Sequence, residues 1–169
     1  MKKLLLFLLF VPIVNSCNSN DDFFANHQNK IWLDTAFDGY DNVNYYTGFS
    51  NGTVNTVNYG SDGIYYCETQ FIGEKNNYYD ESLARVFGGE VNITSAIIVN
   101  KADELQIESI TQSLDGSTTD IILFSYKVNG DNLTFTINDN GTIDTYNGLI
   151  YNGNLDINFN NCETRISMF

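Results

Sequence analysis

Basic side chains are scarce. Eight Lys and Arg face 21 Asp and Glu in 169 residues, a formal net charge of −13. Nucleic-acid binding is excluded on that ground, because neutralising phosphates takes Lys and Arg. Histidine occurs once, at His27. A Ser–His–Asp or Cys–His centre would need that imidazole held in a cleft. It falls instead in a polar stretch ahead of the first strand and is expected to be solvated. The three cysteines and the lone histidine lack the close four-ligand spacing of a zinc site. A P-loop, an HExxH helix and a glycine-rich dinucleotide turn are all missing. Carboxylates are so numerous that a close pair carries no glycosidase signal. The oxygen-rich stretches 38–42 and 138–141 lack the complete loop of a calcium hand and read as turns. These absences predict a protein that is not an enzyme and carries no cofactor or metal.

Proline is nearly absent too, with Pro12 alone near the N-terminus. Proline removes a ladder hydrogen bond, so the rest of the chain is free to pair as strands. Long hydrophobic runs are missing apart from residues 4–14, and a membrane-spanning helix needs about 20 residues. Aromatics are abundant: 11 Tyr and 12 Phe, within 43% hydrophobic residues. A disordered chain lacks that much apolar surface, and the length suits one domain.

Residues 1–16 have the anatomy of a secretory signal: Lys2 and Lys3, the apolar run, then small Ser16. Val14-Asn15-Ser16-Cys17 resembles a bacterial lipoprotein lipobox, in which the cysteine after the cut is lipidated. Asn18-Ser19-Asn20-Asp21-Asp22-Phe23 resembles the acidic export signal that sends lipoproteins to the cell surface in one phylum of Gram-negative bacteria. The resemblance implies lipid on Cys17, an outer-membrane anchor and exposure at the cell surface. Acyl chains contribute about 0.8 kcal/mol per buried CH₂, enough for stable anchoring. A plain secreted protein is the alternative, since Val14 and Ser16 also suit an ordinary signal peptidase. Without the signal, six basic residues face 21 acidic ones, a side-chain net of −15. That charge disfavours lying flat on an anionic membrane. Residues 17–29 then read as lipidated cysteine and polar linker, and 30–169 as the folded domain.

With Cys17 assigned to lipid, Cys67 and Cys162 remain in an oxidising compartment and are expected to form a disulfide. Two buried thiols are the alternative. The bond would close a loop of about 95 residues and contribute about 4–5 kcal/mol on the chain-entropy model.

From Lys30 onward, apolar and polar residues alternate between turn signals. The pattern predicts strands over 30–37, 43–49, 53–59, 63–72, 91–99, 104–110, 119–128, 132–138, 142–151 and 154–159. Asn51-Gly52, Asp62-Gly63, Asn140-Gly141 and Asn152-Gly153 suit type I′ hairpins, which need positive φ at both central residues. Residues 73–90 interrupt the series, with one or two helical turns over 79–87 or a long loop. Consecutive hairpins make an antiparallel meander, so the expected class is all-β, an up-and-down β-barrel with a β-sandwich as alternative.

Trp32 on the first strand, the hairpin Gly48-Phe49-Ser50-Asn51-Gly52-Thr53, and the strand-turn-strand Tyr126-Lys127-Val128-Asn129-Gly130-Asp131-Asn132-Leu133-Thr134-Phe135 resemble the lipocalin-like domains of small bacterial surface lipoproteins. The resemblance implies a barrel that binds a small apolar or amphipathic ligand at its mouth. Strand position alone selects Trp32, Phe49, Tyr66, Phe124 and Phe135 as its lining. A second reading is an interaction module. The pairs Tyr45-Tyr46, Tyr65-Tyr66 and Tyr78-Tyr79 each send one ring outward, where it would meet glycan or a protein partner.

Overall fold

The structure, a computed structural model, describes residues 22–37, 42–50, 52–59, 65–70 and 72–153. Ten strands follow in chain order: β1 (Ile31–Phe37), β2 (Asn42–Ser50), β3 (Thr53–Tyr59), β4 (Tyr65–Gln70), β5 (Gly73–Tyr78), β6 (Val91–Lys101), β7 (Glu104–Ser113), β8 (Thr119–Asn129), β9 (Asn132–Asp139) and β10 (Thr142–Ile150). Helix α1 (Phe23–His27) precedes β1, and α2 (Glu81–Phe87) separates β5 from β6. The class is all-β and antiparallel.

The local signals explain the hairpins. Asn140 and Gly141, with φ of 48° and 93°, lie between the register partners Asp139 and Thr142. Positive φ at both central residues is the type I′ turn that Asn-Gly tolerates best. In β9, Leu133 and Ile137 are buried with half-buried Phe135 between them, as period two requires.

The strands form one sheet in the order β4-β3-β2-β1-β10-β9-β8-β7-β6-β5. β1 pairs with β2 on one side and with β10 on the other, through Trp32 opposite Ile150 and Leu33 opposite Leu149. First and last strands thus join, and the meander turns back on itself. The two edges, β4 and β5, are consecutive in the chain, and no ladder joins them among the described residues. The hydrogen-bonded ring is open at that place.

The sheet is strongly curled. β2 and β8 stand four strands apart, about 19 Å along a flat sheet. Yet the rings of Phe49 and Tyr126 lie 5.4 Å apart, edge to face. Their inner faces therefore meet around one core: Phe23, Phe24, Trp32, Phe49, Val54, Leu105, Ile107, Tyr126 and Leu133. Leu83 of α2 packs separately on Val91 and Ile93.

Two sequence expectations are corrected. Residues 73–78, placed in the interruption, form edge strand β5. Their sequence GEKNNY carries no apolar alternation. The strand exists because β6 supplies its partner, and it is irregular, with a register shift between Lys75 and Tyr78. His27, expected in solvent, is 3% exposed. Asp22 caps α1 by accepting from the Phe24 and Ala25 N–H groups, and Phe23 and Phe24 insert into the core. The expected polar linker thus gives way to packed structure from Phe23 onward. The predicted strand 154–159 lies outside the described residues, as do Cys17 and Cys162. Cys67 takes its place in β4, in register with Val57.

Candidate functional site

Alternation decides which side chains enter the curl. On β1, Trp32 and Asp34 share the inner face, because residues two apart point the same way. Register then carries the face across the sheet: Asp34 stands opposite Tyr45, and Trp32 opposite Thr47 and, one strand further, Thr56. On the other side Tyr126, Phe135 and Tyr146 form one row across β8, β9 and β10.

Between these walls lies a cavity of about 130 Å³. Trp32, Tyr45, Phe124, Tyr126, Phe135 and Tyr146 contribute six aromatic rings to its lining. Val54, Leu133 and Ile137 add aliphatic surface, and Thr47, Thr56 and Gly148 complete the wall with Asp34. Cavities of about 150 Å³ accept a benzene-sized ring, so the space suits a ring or a short acyl segment.

The rings of β8–β10 form a ladder. Tyr126 stacks on Phe135 at 4.6 Å with 6° between planes. Phe124 and Tyr146 flank Phe135 at 6.3 Å and 5.7 Å. Gly148 sits close beside it: a Cβ there would lie 3.2 Å from the Trp32 Cβ, a tight contact. Glycine lets β10 approach the indole.

Helix α1 packs behind the wall, against Trp32 and Phe49. Phe23 meets Phe49 edge to face at 4.8 Å, and His27 packs 4.6 Å from Phe23 and 5.7 Å from Trp32. The His27 Nε2–H donates to the Ala102 carbonyl at 3.0 Å, beside the Asp103 carboxylate at 3.2 Å. The Lys30 ammonium donates to Nδ1 at 3.4 Å. Burial lowers the imidazole pKa, and Lys30 adds to that, so the ring is held neutral. His27 is a packing residue in this arrangement.

One end of the cavity is more polar. Asp34, Tyr45 and Tyr146 lie there, two or more residues along their strands from Trp32, Thr47 and Gly148. Burial raises the Asp34 pKa, partly offset by the Thr35 N–H. Burial raises that of Tyr146 as well, assisted by Asp144 and Asp34. Trp32 supplies the remaining polar feature. Its Nε1–H is buried and finds no hydrogen-bond partner among the described residues. Such a donor costs about 1–3 kcal/mol when left unmade.

Of the residues chosen by strand position, Trp32, Phe124 and Phe135 line the cavity. Phe49 is buried beneath it, 5.5 Å from the Trp32 ring. Tyr66 belongs to β4 opposite Asn58, and its side chain lies outside the description. Period two from the chosen residues would have found Asp34, Tyr126, Leu133 and Ile137. Tyr45 also follows by period two, through Thr47 from Phe49, whereas Tyr146 required strand pairing. Of the tyrosine pairs, Tyr45 faces the cavity, Tyr46 packs at 5.2 Å against Tyr151, and Tyr79 is exposed. Among the described residues, no group of three His, Cys, Asp or Glu side chains is arranged to hold a metal ion.

No family model, curated protein or solved structure matches this chain.

Proposed function

We propose that this is a surface-anchored lipoprotein whose sheet forms an incompletely closed up-and-down barrel. It binds a small apolar or amphipathic ligand and performs no chemistry on it. The continuous ladder from β4 to β5, with β1 bonded to β10, favours the barrel over a sandwich, which needs two sheets. One observation carries the binding reading: an aromatic cavity inside the curl, lined by Trp32, whose buried indole N–H has no partner among the described residues. A ligand entering there exchanges apolar surface for ring contacts and gives that donor a partner. The lipid on Cys17 holds the domain at the outer membrane, and the acidic surface keeps it off the bilayer.

Trp32 is the single tryptophan of the chain, so its emission reports on the cavity wall directly. Titrating the mature protein with apolar ligands of about six carbons, the size the cavity accepts, should shift that emission saturably and raise the melting temperature. Gly148→Val should weaken the binding, because its side chain crowds Trp32, while the β-sheet circular dichroism is retained. Glycan or protein binding that leaves Trp32 emission unchanged would move function to the outer surface and its tyrosines.

A further inference from the structure

Asp34 is the one charged side chain among the thirteen lining residues, and no Lys, Arg or His is with it. A carboxylate ligand would enter with no cation to meet it and with Asp34 to repel it. The protein's net charge of −13 adds to that repulsion at long range. The rings act in the same direction. Aromatic faces are electronegative and attract ammonium groups, most strongly where water is excluded. Six aromatic rings line a cavity that also offers an anion, and Tyr146 stands at the end of the stacked ladder with Phe135 on one side of it.

The arrangement along the strands orients the ligand. Trp32, Leu133 and Gly148 belong to the end nearer α1. Asp34, Tyr45 and Tyr146 belong to the other, and Tyr146 is 38% exposed there. An apolar body would reach toward α1 while a charged head stays beside Asp34. We infer that the cavity selects a cationic amphiphile: an ammonium head at Asp34 and the Tyr45 and Tyr146 rings, with an apolar tail along Tyr126, Leu133 and Trp32. This rests on the ligand-binding reading above and assigns the charge of its ligand.

The test uses three probes of equal chain length, short enough for the cavity and below their micellar concentrations: hexyltrimethylammonium, hexanoate and hexanol. Each is titrated into the mature protein and followed by Trp32 emission. The cation should bind at least about tenfold more tightly than the anion and the alcohol, the range set by a desolvated cation–π and carboxylate contact. Asp34→Asn should cut the ratio between cation and alcohol several-fold, leaving only the share that the rings supply. Asp34→Ser serves as a second variant should the first fail to fold, judged by circular dichroism. Hexanoate binding as tightly as the cation, or a cation preference undiminished in both variants, overturns the inference and leaves the ligand-binding reading standing. If no probe moves Trp32 emission or the melting temperature, the cavity-binding reading falls, and this inference with it.

Discussion

At the scale of single residues, His27 has the clearest pH signature. Its folded pKa lies below the ordinary 6.5, chiefly through burial and then through Lys30, against the Ala102 carbonyl and Asp103. The unfolded chain takes up a proton near pH 6.5 while the folded chain does not. Stability is therefore fully present above about pH 6.5 and is lost as pH falls below it, toward the lowered folded value. The melting temperature should drop between pH 7.5 and 5.5, and His27→Gln should flatten that drop. An equal drop in the variant would assign the effect to other groups. Asp115 has the same sign at lower pH. Hydrogen bonds from the Ser117 hydroxyl and N–H and the Ser113 hydroxyl hold it at about 2. Its contribution is present above the ordinary carboxylate value and lost only as pH approaches about 2, which a carboxyl-carbon NMR titration would read.

At the scale of elements, α1 is too short to persist alone, since isolated helices below about 12 residues are marginal in water. Five residues hold because Phe23 and Phe24 are buried and because the far hairpin reaches them: the Phe23 N–H donates to the Asn100 side chain at 2.8 Å. Phe23→Ala is expected to cost about 3–5 kcal/mol in urea unfolding, whereas the exposed Val86→Ala should stay within about 0.5 kcal/mol. A similar small cost at both positions would mean that α1 does not plug the core. Strand β5 contrasts with this. It is bonded on one side, by β6, so its amides should exchange much faster than those of β7 and β8, each paired on both sides. Its sequence gave no warning, because edge strands need little apolar surface. The hairpin β9–β10 was legible in full, because Asn-Gly and the Leu133, Phe135, Ile137 alternation act between near neighbours.

At the scale of the molecule, chain entropy is set by pairing between distant parts of the chain. The sheet joins its first and last strands through β1 and β10, so much of the pairing around that seam is distant in sequence. A Cys67–Cys162 bond would restrain the unfolded chain across most of that distance. Alkylating the unreduced mature protein should leave both cysteines unlabelled, and reduction should expose both; labelling before reduction would remove the bond from the account. Cys17→Ser should release the protein from the membrane fraction. Retention there would point to another anchor.

Period two, the turn dipeptides, the scarcity of proline and the excess of acid were enough for an antiparallel all-β domain, and they named Trp32, Phe124 and Phe135 from single strands. These are interactions between neighbours in the chain, so the chain displays them. Three other matters depend on contacts far apart in sequence. His27 is buried because Ala102, 75 residues away, meets its ring. β5 exists because β6 pairs with it. Asp34, Tyr45 and Tyr146 share one cavity end because three strands align in a particular register. A shift of one residue would turn Asp34 to the other face of the sheet, so the charge at the cavity is set by tertiary pairing.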